Sequence, residues 1–143
     1  MRTSQGQYAY ANDALGRRTS VVNEGSAFPK DIPNDPAGFF NVWRYNSRSE
    51  LESSRRGRGT TVADEPTSEK TAERRAYAYD HIGNRANHKT WPDCTETTLY
   101  YCRSNRNQYE HTDDANTCTT PFTEDFGYDV DGNLTVDGTL VYE

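Results

Sequence analysis

The sequence predicts an all-β fold of tandem antiparallel hairpins, and three observations support it. A nine-residue signature occurs three times, as YANDALGRR at 10–18, YAYDHIGNR at 77–85 and FGYDVDGNL at 126–134, each with an aromatic three residues before an Asp and a Gly three residues after it. Strand-favouring residues flank each copy. The Asp-to-Gly spacing carries its own turn chemistry: a short acid bonds the amides that follow it, and Gly accepts the left-handed backbone at the turn's end. Copies of one local unit call for a repeat architecture before any single-site chemistry.

The first unit pairs Gln7–Asn12, with Tyr8 and Tyr10, against Arg17–Asn23, with Thr19, Val21 and Val22, about a turn set by Asp13 and Gly16. Three prolines, Pro29, Pro33 and Pro36, make 24–38 a long loop. Phe39–Tyr45 restores an aromatic strand. A worn copy follows, with Asn46 in the Asp position and Ser49 in the Gly position. The polar stretch near 57–74 reads as a second long loop, with a helical turn or two at most over Ser68–Ala76. Asp80 and Gly83 set the second strong copy. A further copy carries Ser104 for Asp and Asn107 for Gly, and Asn is the best non-glycine residue for a left-handed position. Asp129 and Gly132 set the last, after which Asp137-Gly138 signals a two-residue turn within Leu134–Tyr142. The units centre near Asp13, Asn46, Asp80, Ser104 and Asp129, in steps of 33, 34, 24 and 25. They are read as a single partial array over 1–143, with no separate catalytic domain.

Composition bounds the interior. Leu, Ile, Val and Phe supply 19 of 143 residues, under the roughly one-fifth below which disorder is suspected. Ten Tyr and two Trp argue the other way, because aromatics bury large areas and favour strands. The expected core is therefore aromatic and thin, as in stacked repeats. Tyr8, Tyr10, Tyr77, Tyr79, Phe126 and Tyr128 are read as an aromatic ladder between hairpins, or alternatively as a platform for sugars.

A net charge of −6 argues against a nucleic-acid partner. The basic run Ser53–Gly59 reads as a solvated turn. No apolar stretch reaches membrane-span length, and no signal peptide opens the chain. Met1 leads straight into the first strand, so the chain reads as cut from a larger frame, with room upstream for an export signal. Cys94, Cys102 and Cys118 are odd in number and lack a CxxC element, and no His stands at a spacing that completes a zinc set. One disulfide across neighbouring hairpins and three free thiols fit equally well.

The form at Tyr77–Arg85 resembles the YD repeat of the Rhs family, which includes bacterial polymorphic toxins, the shells of insecticidal toxin complexes and teneurins. The copies at Tyr10–Arg18 and Phe126–Leu134 match it. The resemblance implies a spiral of hairpins winding into a hollow shell around a C-terminal toxic segment, in proteins that are secreted or displayed at the cell surface. Its partners would be flanking repeats and the enclosed segment. No counterpart of the family's cargo-cutting carboxylates is found. Asn12 for Tyr, the lost Asp at two copies and the three cysteines depart from the pattern.

Competing chemistries fare poorly. Asp129-Val130-Asp131-Gly132 resembles part of a calcium loop, but Gly127 and Gly138 stand where outer ligands belong. His81, His88 and His111 lack a nucleophile and an oriented acid at any recognisable spacing, and His81 is expected to be exposed in its turn. Asp113 with Asp114, and Glu124 with Asp125, read as charges on loops and exposed strand edges. No catalytic residue, metal or cofactor is expected. The chain reads as structural wall, with a carbohydrate-binding or adhesive surface module as the alternative.

Overall fold

The computed structural model describes residues 5–28, 37–64, 69–119 and 121–142. Among these, eleven antiparallel strands form, and hydrogen-bonded neighbours follow chain order from first to last. They are β1 (Gln7–Asn12), β2 (Arg18–Glu24), β3 (Phe39–Tyr45), β4 (Leu51–Arg58), β5 (Arg75–Tyr79), β6 (Arg85–Thr90), β7 (Thr97–Arg103), β8 (Tyr109–Asp113), β9 (Glu124–Tyr128), β10 (Leu134–Asp137) and β11 (Leu140–Val141). The all-β class and the tandem hairpins are thus as the repeats predict.

Hairpin turns span residues 13–17, 46–50, 80–84, 104–108 and 129–133. Where the register is defined, the strands close on the pairs Asn12↔Arg18, Tyr45↔Leu51, Arg103↔Tyr109 and Tyr128↔Leu134. A register shift falls beside each of these pairs, the signature of a turn followed by a bulge. The β10–β11 turn differs from its prediction. Asp137 pairs with Leu140, so Gly138 and Thr139 are the central residues in place of Asp137 and Gly138. Gly138, at φ 56°, supplies the positive φ that a type II′ turn needs at its first position.

Of the two predicted loops, 24–38 falls partly outside the described residues. The second begins later than predicted, because β4 runs on through Arg58. The basic run is therefore strand and not turn. Its charges are met by acids: Arg55 Nε lies 3.8 Å from Glu69, Arg56 Nη1 lies 3.2 Å from Glu73, and the Arg56 guanidinium stands 3.7 Å over the Phe39 ring. Short 3₁₀ turns at Val62–Asp64 and Thr71–Glu73 shape the rest of this connection.

The chain divides into two compact units, Met1–Ala76 with Thr90–Glu96, and Tyr77–Lys89 with Thr97–Glu143. In the first, Val21, Phe40 and Trp91 are buried beside Ser20 and Asn23. In the second, the buried residues are Cys102, Thr112 and Asp113. The interior is thin in both.

Phe40 is the fully buried ring of the first unit, and it faces Gly57 directly across β3 and β4. A Cβ built at Gly57 would lie 2.6 Å from Phe40 Cε2 and 2.7 Å from Cε1. The glycine exists to receive the ring. Gly57→Ala is expected to cost about 1–3 kcal/mol by overpacking, and Phe40→Ala about 3–5 kcal/mol by cavity formation. Urea unfolding should show both, and the double variant should cost less than the two combined.

Candidate functional site

The recurring site is the hairpin turn, and its geometry is built from one side-chain acceptor. Asp13 Oδ1 accepts the amides of Leu15 at 2.9 Å and Arg17 at 3.0 Å. Asp80 Oδ1 accepts those of Ile82 and Asn84 at 3.0 and 2.8 Å, and Asp129 Oδ1 those of Asp131 and Asn133 at 3.0 and 2.8 Å. Asn46 Oδ1 repeats the pattern with Arg48 and Glu50, as does Ser104 Oγ with Arg106 and Gln108. A backbone bond from the fourth residue's amide to the first residue's carbonyl closes every turn.

The fourth residue takes positive φ in each: Gly16 at 80°, Ser49 at 67°, Gly83 at 96°, Asn107 at 63° and Gly132 at 88°. The Asp129 carboxylate is committed to its own turn, accepting from the amides of Asp131 and Asn133 and from the Asn133 side-chain amide.

A sixth clamp was not legible as a repeat. Asp113 is only 2% exposed, where its sequence suggested a solvated loop charge. Its carboxylate accepts the amides of Ala115, Thr117 and Cys118 at 2.8, 2.8 and 2.6 Å and the Thr117 hydroxyl at 2.8 Å, with Asn116 at φ 57°. The signal was the spacing Asp113-x-x-Asn116-Thr117, without an aromatic three residues upstream. Asp114, Glu124 and Asp125 are exposed.

The fifth residue of the turn reaches onward. Arg17 Nη1 donates to Asn46 O at 3.2 Å and Ser49 Oγ at 3.1 Å, linking the first turn to the second. Asn84 Nδ2 donates to Asn107 Oδ1 at 2.6 Å, and Gln108 Nε2 to Gly132 O at 3.4 Å. Arg103 also pairs with Asp80.

Ring contacts run through both units. Tyr8 and Tyr10 stack along β1 at 6.5 Å, and Tyr8 meets Phe28, which meets Phe39, both edge-on. In the second unit the ladder runs Tyr77, His88, Tyr101, Tyr109, with centroids 6.4, 6.0 and 5.1 Å apart. Sequence reasoning missed the last three, which only cross-strand register brings together. Arg85 covers Tyr77 at 4.9 Å and Tyr101 at 5.6 Å, and the Tyr101 hydroxyl lies 3.0 Å from His88 Nδ1. Tyr79 is half-buried on β5, and Phe126 and Tyr128 border a shallow groove with Arg106, Gln108 and Glu110. Burial, then the Asp137 charge, raises the Tyr128 pKa. His81 is exposed in its turn.

Cys102 and Cys118 form a disulfide with a Cα–Cα distance of 5.6 Å, and Cys94 is free and exposed. The bridge joins β7 to the connection after β8, where the sequence suggested a bridge between neighbouring hairpins or none. His111 lies opposite Cys102 in the register, a neighbour that spacing along the sequence did not reveal.

No family model matches this chain, and no curated protein matches it.

Two outcomes follow from the turn geometry. The amide of Ala115, the Thr117 hydroxyl and the further amides hold the Asp113 pKa well below its ordinary 3.8, against an opposing push from burial. The Asn133 amide group does the same for Asp129, and in Asp13 burial is outweighed by the bonds from Arg17. Because these folded pKa values are depressed, their stabilisation is complete above the ordinary value and lost as pH falls through the folded one. Urea midpoints should hold steady from neutrality to about pH 5 and fall steeply towards about pH 2, and Asp113→Asn should flatten that acid limb. Ser49, a non-glycine residue in the left-handed region, should yield about 0.5–1 kcal/mol of added stability on Ser49→Gly in thermal melts.

Proposed function

We propose that these residues are a structural repeat segment of an Rhs-like protein, forming part of a β-shell that encloses or presents a C-terminal toxin or effector. The observation that carries this reading is the onward bond from the fifth turn residue. Arg17 ties the first turn to the second, Asn84 the third to the fourth and Gln108 the fourth to the fifth, so three of the four steps between turns carry a link. That is the logic of a wall, in which each repeat is stabilised by its neighbours. The acids of the motif are consumed by turn amides, which leaves them structural and supports a non-enzymatic role. Tyr8 and Tyr10, 58% and 54% exposed on the end strand, suit contact with a flanking hairpin. Its setting, by the same resemblance, is a secreted or cell-surface protein.

The second reading rests on that same exposed pair, since stacked rings can receive a sugar. Against it, the Arg18 guanidinium already stands 4.2 Å over the Tyr10 ring. Electron microscopy of the polypeptide from the whole reading frame, with limited proteolysis, tests the first reading. A hollow shell with a protected downstream segment is expected; a solid or extended particle with no protected segment would overturn it. Glycan-array binding abolished by Tyr8→Ala in a chain that keeps its fold would instead support the sugar platform.

A further inference from the structure

The disulfide of the second unit has a third member. A ring nitrogen of His111 and the sulfurs of Cys102 and Cys118 all lie within 4.8 Å of one another. Cys102 and His111 are direct cross-strand partners on β7 and β8, so they stand on one face of a hydrogen-bonded pair. His111 is fixed from one side by Phe122, stacked at 3.7 Å and 22°. Its Nε2 is buried and has no hydrogen-bond partner among the described residues. Buried polar atoms are seldom left so, and an orphan of this kind calls for an explanation such as an absent ion.

We propose that on reduction Cys102, Cys118 and His111 form a site for a thiophilic divalent cation of the zinc class, so that the bridge and the metal are alternative staples for the same loop. Zinc takes thiolate and imidazole ligands at about 2.3 and 2.0–2.1 Å, which places tetrahedral ligand atoms roughly 3.3–3.8 Å apart. The present spread is within an ångström or two of that. Cys102, 3% exposed, and His111 supply the rigid half. The adjustable half is Cys118, exposed, at φ 53°, and hung by its amide from Asp113. Asp113 is a positioning residue here, because its oxygens already accept turn donors. Two thiolates and one imidazole leave the fourth position to water.

The exchange balances. A thiolate of an external dithiol attacks the sulfur of Cys118, the exposed partner of the bridge, and Cys102 leaves as thiolate. The reductant's second thiol then closes on its own sulfur in the mixed disulfide, releasing Cys118 and carrying away the oxidised, cyclic reductant. Two electrons have passed to the cysteine pair. Binding of the cation then displaces the two thiol protons.

The test uses Cys94→Ser, which removes the unrelated thiol, with cobalt(II) as the spectroscopic probe and zinc as competitor. The reduced chain should take up one equivalent of cobalt with thiolate charge-transfer and tetrahedral ligand-field bands, release two protons per ion and yield the ion to zinc. Oxidised protein should bind none. His111→Ala should weaken binding at least tenfold, about the scale on which loss of even an outer-sphere partner is felt, and Cys118→Ser, which leaves Cys102 as the one thiolate, should weaken the charge-transfer band. If reduction unfolds the chain, cobalt should restore the β circular dichroism in the parent and not in His111→Ala. Absence of uptake by the reduced chain, or uptake unchanged by oxidation or by His111→Ala, would overturn the proposal and leave the bridge as a staple only.

Discussion

Everything in this sheet depends on one interaction, a side-chain oxygen at the first turn residue that accepts the amides two and four residues on. The clamp sets the turn, and the positive φ of the fourth residue returns the chain in fixed register. Register is ordinarily specified by an apolar face, and a slip of one residue turns every side chain over. With so few aliphatic residues that specification is weak here. The turn supplies it locally instead, at each of the five repeat hairpins and without reference to a deep core.

The requirement is for an acceptor and not for an acid. Asn46 makes both bonds with its carbonyl at 2.9 and 3.0 Å, and Ser104 makes both with one hydroxyl at 3.1 and 3.3 Å. The fifth residue complements whatever stands first. An Asp faces a donor, as in Arg17 Nε to Asp13 at 2.6 Å and Asn84 Nδ2 to Asp80 at 3.0 Å; Asn46, itself donating, faces the acceptor Glu50 at 2.5 Å. The short side chain of Ser104 leaves Gln108 free to turn to Gly132. The worn copies are therefore chemically complete copies.

This explains what could be read from the chain and what could not. Turn chemistry is local, so the five turn centres and strand β3 were legible from neighbouring residues alone. Asp113 was not, because its clamp opens a connection between hairpins, and no aromatic precedes it at the repeat spacing. The ladder through His88, Tyr101 and Tyr109, and the approach of His111 to Cys102, depend on which residues face each other across strands. Bulges beside the turns shift that pairing by one, which no count along the sequence reveals. The Arg-rich run misled for a related reason: its solvated look reflects charge alone, whereas Glu69 and Glu73, from a later segment, neutralise it.

Composition pointed towards disorder, and the resolution lies in how the arginines are used. Arg17 stands 5.0 Å from the Tyr45 centroid, Arg18 4.2 Å over Tyr10, Arg74 4.3 Å over Trp91, and Arg56 and Arg85 cover Phe39 and Tyr77. A guanidinium is weakly hydrated, stacks on ring faces and lays a three-carbon stem over apolar surface, at roughly 0.5–2 kcal/mol per contact according to exposure. Such a side chain covers a face of the ring and still presents charge to water. Aliphatic residues in those places would leave an exposed apolar sheet prone to association. A low aliphatic content is thus compatible with these hairpins, because rings capped by arginines stand in for an aliphatic core.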